Sequence, residues 1–220
     1  MVYCMSDIHG EYDRFIEMLS LIQFNSADTL YIIGDVIDRG PAGLDILDFI
    51  MDKPNIVMLL GNHEQMCLDT LGAYNQVGAR ALWESNGGDI TFQELVHCRA
   101  REYRELVLRY LETLPDALDI VVGKQKFHLV HGMPSFDTDI EKRHDIRIWG
   151  RPGDVTYCPI PNTTTVIGHT PTSYLNPRDG SPYSIWHGDE ILCIDCGCGH
   201  QYKNRCLACL RLDDMAEFYV

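Results

Sequence analysis

The sequence predicts an α/β fold built on a largely parallel sheet, and three observations carry that expectation. Apolar runs rich in β-branched residues alternate with stretches whose apolar residues recur at helical spacing. The alternation repeats three times before Leu71, which suits right-handed βαβ crossovers. Each apolar run stops abruptly at ligand-type residues, and the carboxyl ends of strands are where open α/β sheets bind their ligands.

The first strand is Val2-Tyr3-Cys4-Met5, which stops at Ser6-Asp7-Ile8-His9-Gly10. Tyr12, Phe15, Ile16, Leu19 and Ile22 then form one face of a helix, closed by the polar break Asn25-Ser26-Ala27-Asp28. The second strand organises the rest. Ile32 and Ile33 anchor it in the core, and it opens into Gly34-Asp35-Val36-Ile37-Asp38-Arg39-Gly40, so that Asp35 stands at the mouth of a site. Pro41 suits a first helical turn, with Leu44, Leu47 and Ile50 following. A third strand, Ile56-Val57-Met58-Leu59-Leu60, stops at Gly61-Asn62-His63-Glu64. From there to Leu114 the chain reads as mainly helical, broken at Asn86-Gly87-Gly88 and ended by Pro115. Strands are expected at 117–122 and 126–130, the second ending in His131-Gly132. Residues 133–162, punctuated by Pro134, Pro152, Pro159 and Pro161, read as one long irregular segment, and such loops are usually functional. A strand at 163–167 ends in Gly168-His169-Thr170, and further strands are expected at 191–195, 206–212 and 216–220.

The totals bound the class. At 220 residues the chain is expected to form a single domain, 1–220. Lys and Arg number 18 against 32 Asp and Glu, a net charge of −14, which argues against long-range attraction to a nucleic-acid backbone. Clustered carboxylates repel unless cations sit among them, so bound metal would offset part of that excess. No run is long enough to span a membrane, and a strand beginning at Val2 leaves no room for a signal segment. Nine cysteines, several in strand-like runs, suit buried thiols in a reducing cytoplasm.

Five strand ends thus supply Asp7, His9, Asp35, Asn62, His131 and His169, all oxygen or imidazole nitrogen donors. Such a mixed set suits Mn²⁺, Fe or Zn²⁺ better than Ca²⁺. Six donors are too many for one catalytic ion with open positions and enough for two. Asp35 is the natural bridge, with Asp7 and His9 on one side and Asn62, His131 and His169 on the other. Two cations about 4 Å apart can share a hydroxide and clamp both oxygens of an in-line displacement at phosphorus.

These five segments, in this order, resemble the signature of the phosphoprotein phosphatase family of metallophosphoesterases, nearest to the bacteriophage lambda-type bacterial serine/threonine phosphatases. The tail Ile194-Asp195-Cys196-Gly197-Cys198 is also similar to bacterial members. The resemblance implies a calcineurin-like β sandwich of mixed sheets flanked by helices, and a metal-dependent phosphomonoesterase acting on phosphoproteins or small phosphate esters. It implies that His63 protonates the leaving oxygen, that Asp38 holds the His63 tautomer, and that Arg39 grips the phosphoryl group together with Arg151. Arg147 is near enough in sequence to compete for the last role. The chain departs from the commonest pattern at Ser6, where glycine is usual, and at His131-Gly132-Met133, where animal enzymes have a second glycine. Neither change removes a donor.

Other readings stand beside this one. Diadenosine tetraphosphatases and further nucleotide-cleaving relatives share nearly all of these motifs. The loops 72–88 and 133–162 are expected to separate the substrate classes, with Trp83, Trp149 and Tyr157 as candidate walls of a base slot. A non-catalytic metal-binding module is a third reading, against which His63 and every donor are intact. Singly, Asp35 and Asp38 would be helix N-caps, and His131 and His169 hydrogen-bonded core histidines; company favours the metal reading. Cys193-x-x-Cys196 and Cys206-x-x-Cys209 have the outline of a zinc ribbon, but a short gap and strand-like surroundings favour buried thiols. His97, His128, His144, His187 and His200 are assigned structural or surface roles.

Overall fold

The computed structural model describes residues 1–73, 76–175, 183–201 and 203–220; positions 74–75 of the 72–88 loop lie outside the described residues. Strands β1 (Val2–Met5), β2 (Thr29–Ile33) and β3 (Ile56–Leu59) pair in parallel, with helices α1 (Tyr12–Leu21) and α2 (Gly43–Met51) as their crossovers. After β3 come α3 (Asn62–Leu71), α4 (Ala79–Ser85), α5 (Asp89–Gln93) with a π-helical turn at Glu94–Cys98, and α6 (Arg101–Leu111). The second sheet holds β4 (Ala117–Val122), β5 (Gln125–Val130), β6 (Thr163–Ile167), β7 (Trp186–His187) and β8 (Ile191–Cys193). The chain returns to the first sheet through β9 (Ala208–Arg211) and β10 (Ala216–Tyr219). The sheet orders are β10-β9-β1-β2-β3 and β4-β5-β6-β8-β7, each mixing parallel and antiparallel pairs.

The two-residue period of the strands sorts the core. Tyr3, Met5, Leu30, Ile32 and Met58 face the helices and pack with Phe15, Met18, Leu44 and Leu47. Their alternates Cys4, Ile33 and Leu59 face the other way, against Phe127, Leu129, Val166 and Leu192 of the second sheet. The molecule is therefore a sandwich of two mixed sheets flanked by helices. Register then brings the carboxyl ends of β1, β2 and β3 level, with Met5 opposite Ile32 and Ile33 opposite Leu59. The two sheets' loops meet across that edge, where the His169 N–H donates to Asp7 Oδ2 at 3.1 Å and His131 Nδ1 meets the Ile33 carbonyl at 2.7 Å.

One expectation is corrected. Residues 133–162 are not one irregular loop, because they contain helix α7 (Ile140–Trp149), capped by Asp139, whose side chain accepts from the Lys142 N–H. Of its residues only Ile148 is fully buried, so no apolar stripe announced it, and the flanking prolines drew attention to the coil. The late strands are also shorter than expected. β8 stops at Cys193, and β9 begins only at Ala208. No described helix is long and apolar enough to cross a membrane.

Candidate active site

The β1, β2 and β6 ends turn sharply, and they do so through residues with left-handed backbone: Asp7, His9, Asp35, Asp38, Arg39 and His169 all have positive φ. Each such residue costs about 1 kcal/mol or more, so surrounding contacts must hold it there. The His9 N–H donates to the Asp35 carbonyl at 3.0 Å, Gly10 to Val36 at 2.8 Å and Gly40 back to His9 at 3.0 Å, lacing the first two loops together. Gly34 allows the third to close, since a Cβ there would strike the backbone of Gly61 and its own φ is +77°. The fully buried Glu64 completes the clamp. Its carboxylate accepts N–H groups from Asp35, Val36, Ile37 and Gly61 at 2.8 to 3.3 Å. Burial and the Asp35 charge push its pKa up to about 7, against the pull of those donors.

All six sequence-predicted donors converge and are buried. His9 Nε2 lies 3.6 Å from Asp35 Oδ2 and 3.9 Å from Asp7 Oδ1. His131 Nε2 lies 3.3 Å from Asp35 Oδ1 and 3.0 Å from Asn62 Oδ1, which also meets His169 Nδ1 at 2.9 Å. Among the described residues two groups are compact enough to hold an ion, His9-Asp35-His63 and Asp35-His131-His169, and Asp35 belongs to both. Ser6 fits the arrangement, with its hydroxyl on Asp7 Oδ2 and on the Ile33 carbonyl at 3.0 Å.

The electrostatics fit cations. Burial would raise Asp35, but His131 and His63 outweigh it and hold its carboxyl well below the usual range. Burial raises Asp7, which sits near Asp35, and burial with the Asp7 charge drives the equally buried Asp195 higher still. His131 is pushed up to about 10: burial opposes the charge, but Asp35 draws a proton onto the ring. A field that draws a proton so strongly also draws a cation. Of the three buried imidazole nitrogens with no hydrogen-bond partner among the described residues, His9 Nε2 and His169 Nε2 belong to the donor set, as metal-facing lone pairs would, and His128 Nε2 lies outside it.

Beside the donors, His63 Nδ1 meets Asp38 Oδ2 at 2.6 Å, and His63 Nε2 is 3.8 Å from Asp35 Oδ2. Burial would lower the His63 pKa, but Asp35 and Asp38 raise it above the ordinary imidazole value. Arg39 Nη2 lies 3.0 Å from that same Nε2. Arg151 lines the cleft and donates to the His169 carbonyl at 3.3 Å. Arg147 is turned away, held by Asp116 at 2.8 Å and the Ser135 carbonyl at 3.1 Å. The cleft measures about 470 Å³, with Trp149, Pro152 and Tyr174 in its lining beside the polar Arg39, Asn86 and His200.

Three features differ from the sequence reading. Trp83 is not a slot wall: it is wholly buried, and its indole N–H donates to Asp38 Oδ2 at 2.6 Å. Tyr157 bonds Thr165 and the Glu190 carbonyl and lines a separate groove, which leaves Trp149 as the one of the three on the cleft. His200, assigned a structural or surface role from sequence, lines the cleft with its Nε2 2.8 Å from Arg39 Nη1. Burial and Arg39 lower its pKa to about 4, which keeps the ring neutral. The four cysteines of the zinc-ribbon outline do not gather at one point: Cys196 and Cys206 hydrogen-bond to each other, but Cys193 donates to the Thr170 carbonyl and Cys209 packs in the helix-side core.

A family model for calcineurin-like phosphoesterases matches residues 1–210. The chain belongs to that family. Among curated proteins, the chain is 32% identical over 131 residues to serine/threonine-protein phosphatase 2 of Escherichia coli K12, a match covering 59% of this chain and 57% of that protein. It is 42% identical over 64 residues to the symmetrical bis(5'-nucleosyl)-tetraphosphatase of Salmonella paratyphi B, covering 28% of this chain and 23% of that protein. These matches span little more than half, and less than a quarter, of the relatives' lengths. Among solved structures, a protein described as a diadenosine tetraphosphatase superposes with a TM-score of 0.67 at 17% identity, covering 100% of this chain and 92% of the other. A serine/threonine phosphatase from Saccharomyces cerevisiae gives 0.62 at 13%, covering 100% and 78%. At such identities the likeness is one of fold. The chain thus has the sandwich of its family and, at the strand ends, side-chain groups compact enough to hold a metal ion.

Proposed function

We propose that the phosphoesterase hydrolyses phosphate monoesters, with phosphoserine and phosphothreonine of proteins as its substrate class, and that residues 1–220 act as one catalytic domain in the cytoplasm. The observation that carries this reading is the His63–Asp38 pair, set against a carboxylate shared by two donor groups. A metal-binding module has no use for such a pair. Asp7, His9, Asp35, Asn62, His131 and His169 would hold two divalent ions, with Mn²⁺ favoured by the donor set. When bound, these supply Lewis acidity that activates water and polarises the phosphoryl group.

The side chains do the rest. Arg39 and Arg151 take phosphoryl oxygens with their planar forks and set the phosphorus in line. Once Arg39 Nη2 takes a phosphoryl oxygen in place of His63 Nε2, that ring nitrogen is free to face the leaving oxygen. His63 delivers its Nε2 proton there, while Asp38 keeps the Nδ1 proton in place. Trp83 fixes the Asp38 carboxylate from behind.

The test is hydrolysis of an aryl phosphate by metal-stripped protein with and without Mn²⁺, in wild type and His63→Asn. Restoration by Mn²⁺ and a loss of about a hundredfold in the variant are expected. Two bound metals with no turnover would reject the reading. A second reading, dinucleoside polyphosphate cleavage, is favoured by the identity to the tetraphosphatase and by Trp149 and Tyr174 in the cleft lining. Faster turnover of diadenosine tetraphosphate than of a phosphopeptide would select it.

A further inference from the structure

The Arg39 guanidinium is held in an unusual way. Its Nη2 meets His63 Nε2 at 3.0 Å, its Nη1 meets His200 Nε2 at 2.8 Å, and its Nε reaches the Asn86 carbonyl at 3.5 Å. Among the described residues no carboxylate lies within ion-pair range of it, although the cleft is rich in acids. A guanidinium only donates, so the ring nitrogen of His200 that faces Nη1 contributes a lone pair and no charge.

The loop after β8 is built to deliver that lone pair. Asp195 Oδ1 accepts the Gly197 N–H at 2.8 Å, and the His200 N–H closes a turn onto the Gly197 carbonyl at 3.1 Å. Gly199, at φ +78°, lies so close to His9 that a Cβ would strike the His9 side chain. Cys198 Sγ donates to the Ile8 carbonyl at 3.5 Å. The turn therefore rests on the β1 loop and sets the His200 ring beside Arg39. The link joins residues 161 apart in sequence.

We infer that His200 is a positioning residue for Arg39: it fixes the guanidinium at the cleft with a neutral acceptor, leaving its positive charge unspent for a phosphoryl group. A carboxylate in the same place would orient Arg39 equally well but would neutralise it and repel the incoming phosphate. This inference rests on the phosphoryl-binding role given to Arg39 above. It assigns His200 no contact with substrate.

The experiment is isothermal titration of orthophosphate into Mn²⁺-loaded protein, in wild type and in His200→Gln, His200→Leu and His200→Glu, each also combined with Arg39→Ala. Gln retains a neutral acceptor and is expected within about threefold of wild type, whereas Leu, which has none, weakens binding about tenfold. Glu weakens it further still, although it offers Arg39 the stronger partner. In the Arg39→Ala background the Gln and Leu variants converge, because the effect passes through the arginine. A merely structural histidine would give no such order, and its effect would persist without Arg39. Equal phosphate affinity in wild type and His200→Leu, or losses undiminished in the Arg39→Ala background, would overturn the inference. Turnover of an aryl phosphate is followed in the same samples. Wild type that binds phosphate in the expected order yet hydrolyses no ester rejects the proposed phosphatase activity and upholds His200. Wild type that binds no phosphate overturns both.

Discussion

Asp38 Oδ2 receives two donors, His63 Nδ1 and Trp83 Nε1, each at 2.6 Å, in a site with no exposure to water. One donor sets the tautomer of the proposed acid, and the other fixes the carboxylate that sets it. Asp38→Asn is expected to lower kcat by about a hundredfold while metal content stays unchanged. Trp83→Phe keeps the buried ring and removes only the N–H. It is expected to lower kcat about ten- to a hundredfold, the worth of one hydrogen bond to a charged group, and a variant that loses thermal stability with kcat intact would reduce Trp83 to core packing. At this scale the sequence was informative where spacing is local. Asp38, Arg39 and His63 lie in motifs that name themselves. Trp83 is 45 residues from Asp38, and His200 is 161 from Arg39, so nothing but the folded chain joins those pairs.

Between residues and the whole lie the turns and helices that aim the donors. The strand ends were legible because five apolar runs in order each stop at Asp, His or Asn, where any one alone would read as a cap or a core histidine. Their left-handed backbone was not, since it depends on what clamps them. Glu64 is the clearest clamp, and Glu64→Ala, which strands four buried N–H groups at the β2 and β3 ends, is expected to cost about 3 kcal/mol or more in urea unfolding. A loss below about 1 kcal/mol would mean the loops hold themselves. Helix α7, hidden from sequence, is tied back by Asp116, which pairs with Arg147 at 2.8 Å and His144 at 3.1 Å. Burial would raise the Asp116 carboxyl, but the bonds from His144 and Arg147 hold it below the ordinary 3.8. A depressed folded value means the stabilisation is complete above 3.8 and is lost as pH falls through that lower value. Asp116→Asn is therefore expected to be about 1 kcal/mol less stable than wild type at neutral pH, a figure discounted for partial exposure, with the gap closing below about pH 4. A gap unchanged across that range would place the effect in packing.

For the molecule as a whole, the sequence established the first three strands and their crossovers. It did not establish which strands of the second half pair, because β8 and β9 are short and separated by a turn whose purpose is the site. Folding brings Asp7, Asp35 and Asp195 together at one edge of a sandwich that already carries a net charge of −14. Burying carboxylates side by side opposes folding unless protons or cations accompany them. Asp35, which draws a proton onto His131, is one place where a proton would relieve that repulsion. Cations that bind only the folded state add RT ln(1 + [M]/Kd), about 2.7 kcal/mol at a hundredfold excess over Kd. For a chain of this length that is a rise in Tm of roughly 5 to 10 °C, which a chelator should remove and added Mn²⁺ restore. Asp35 belongs to both donor groups, so Asp35→Asn should abolish most of that rise, whereas Arg151→Ala, which removes no donor, should preserve it. Melting curves that ignore the metal in the wild type would mean that the acidic edge is held by protons alone, and the hydrolytic reading would then lack the ions it needs.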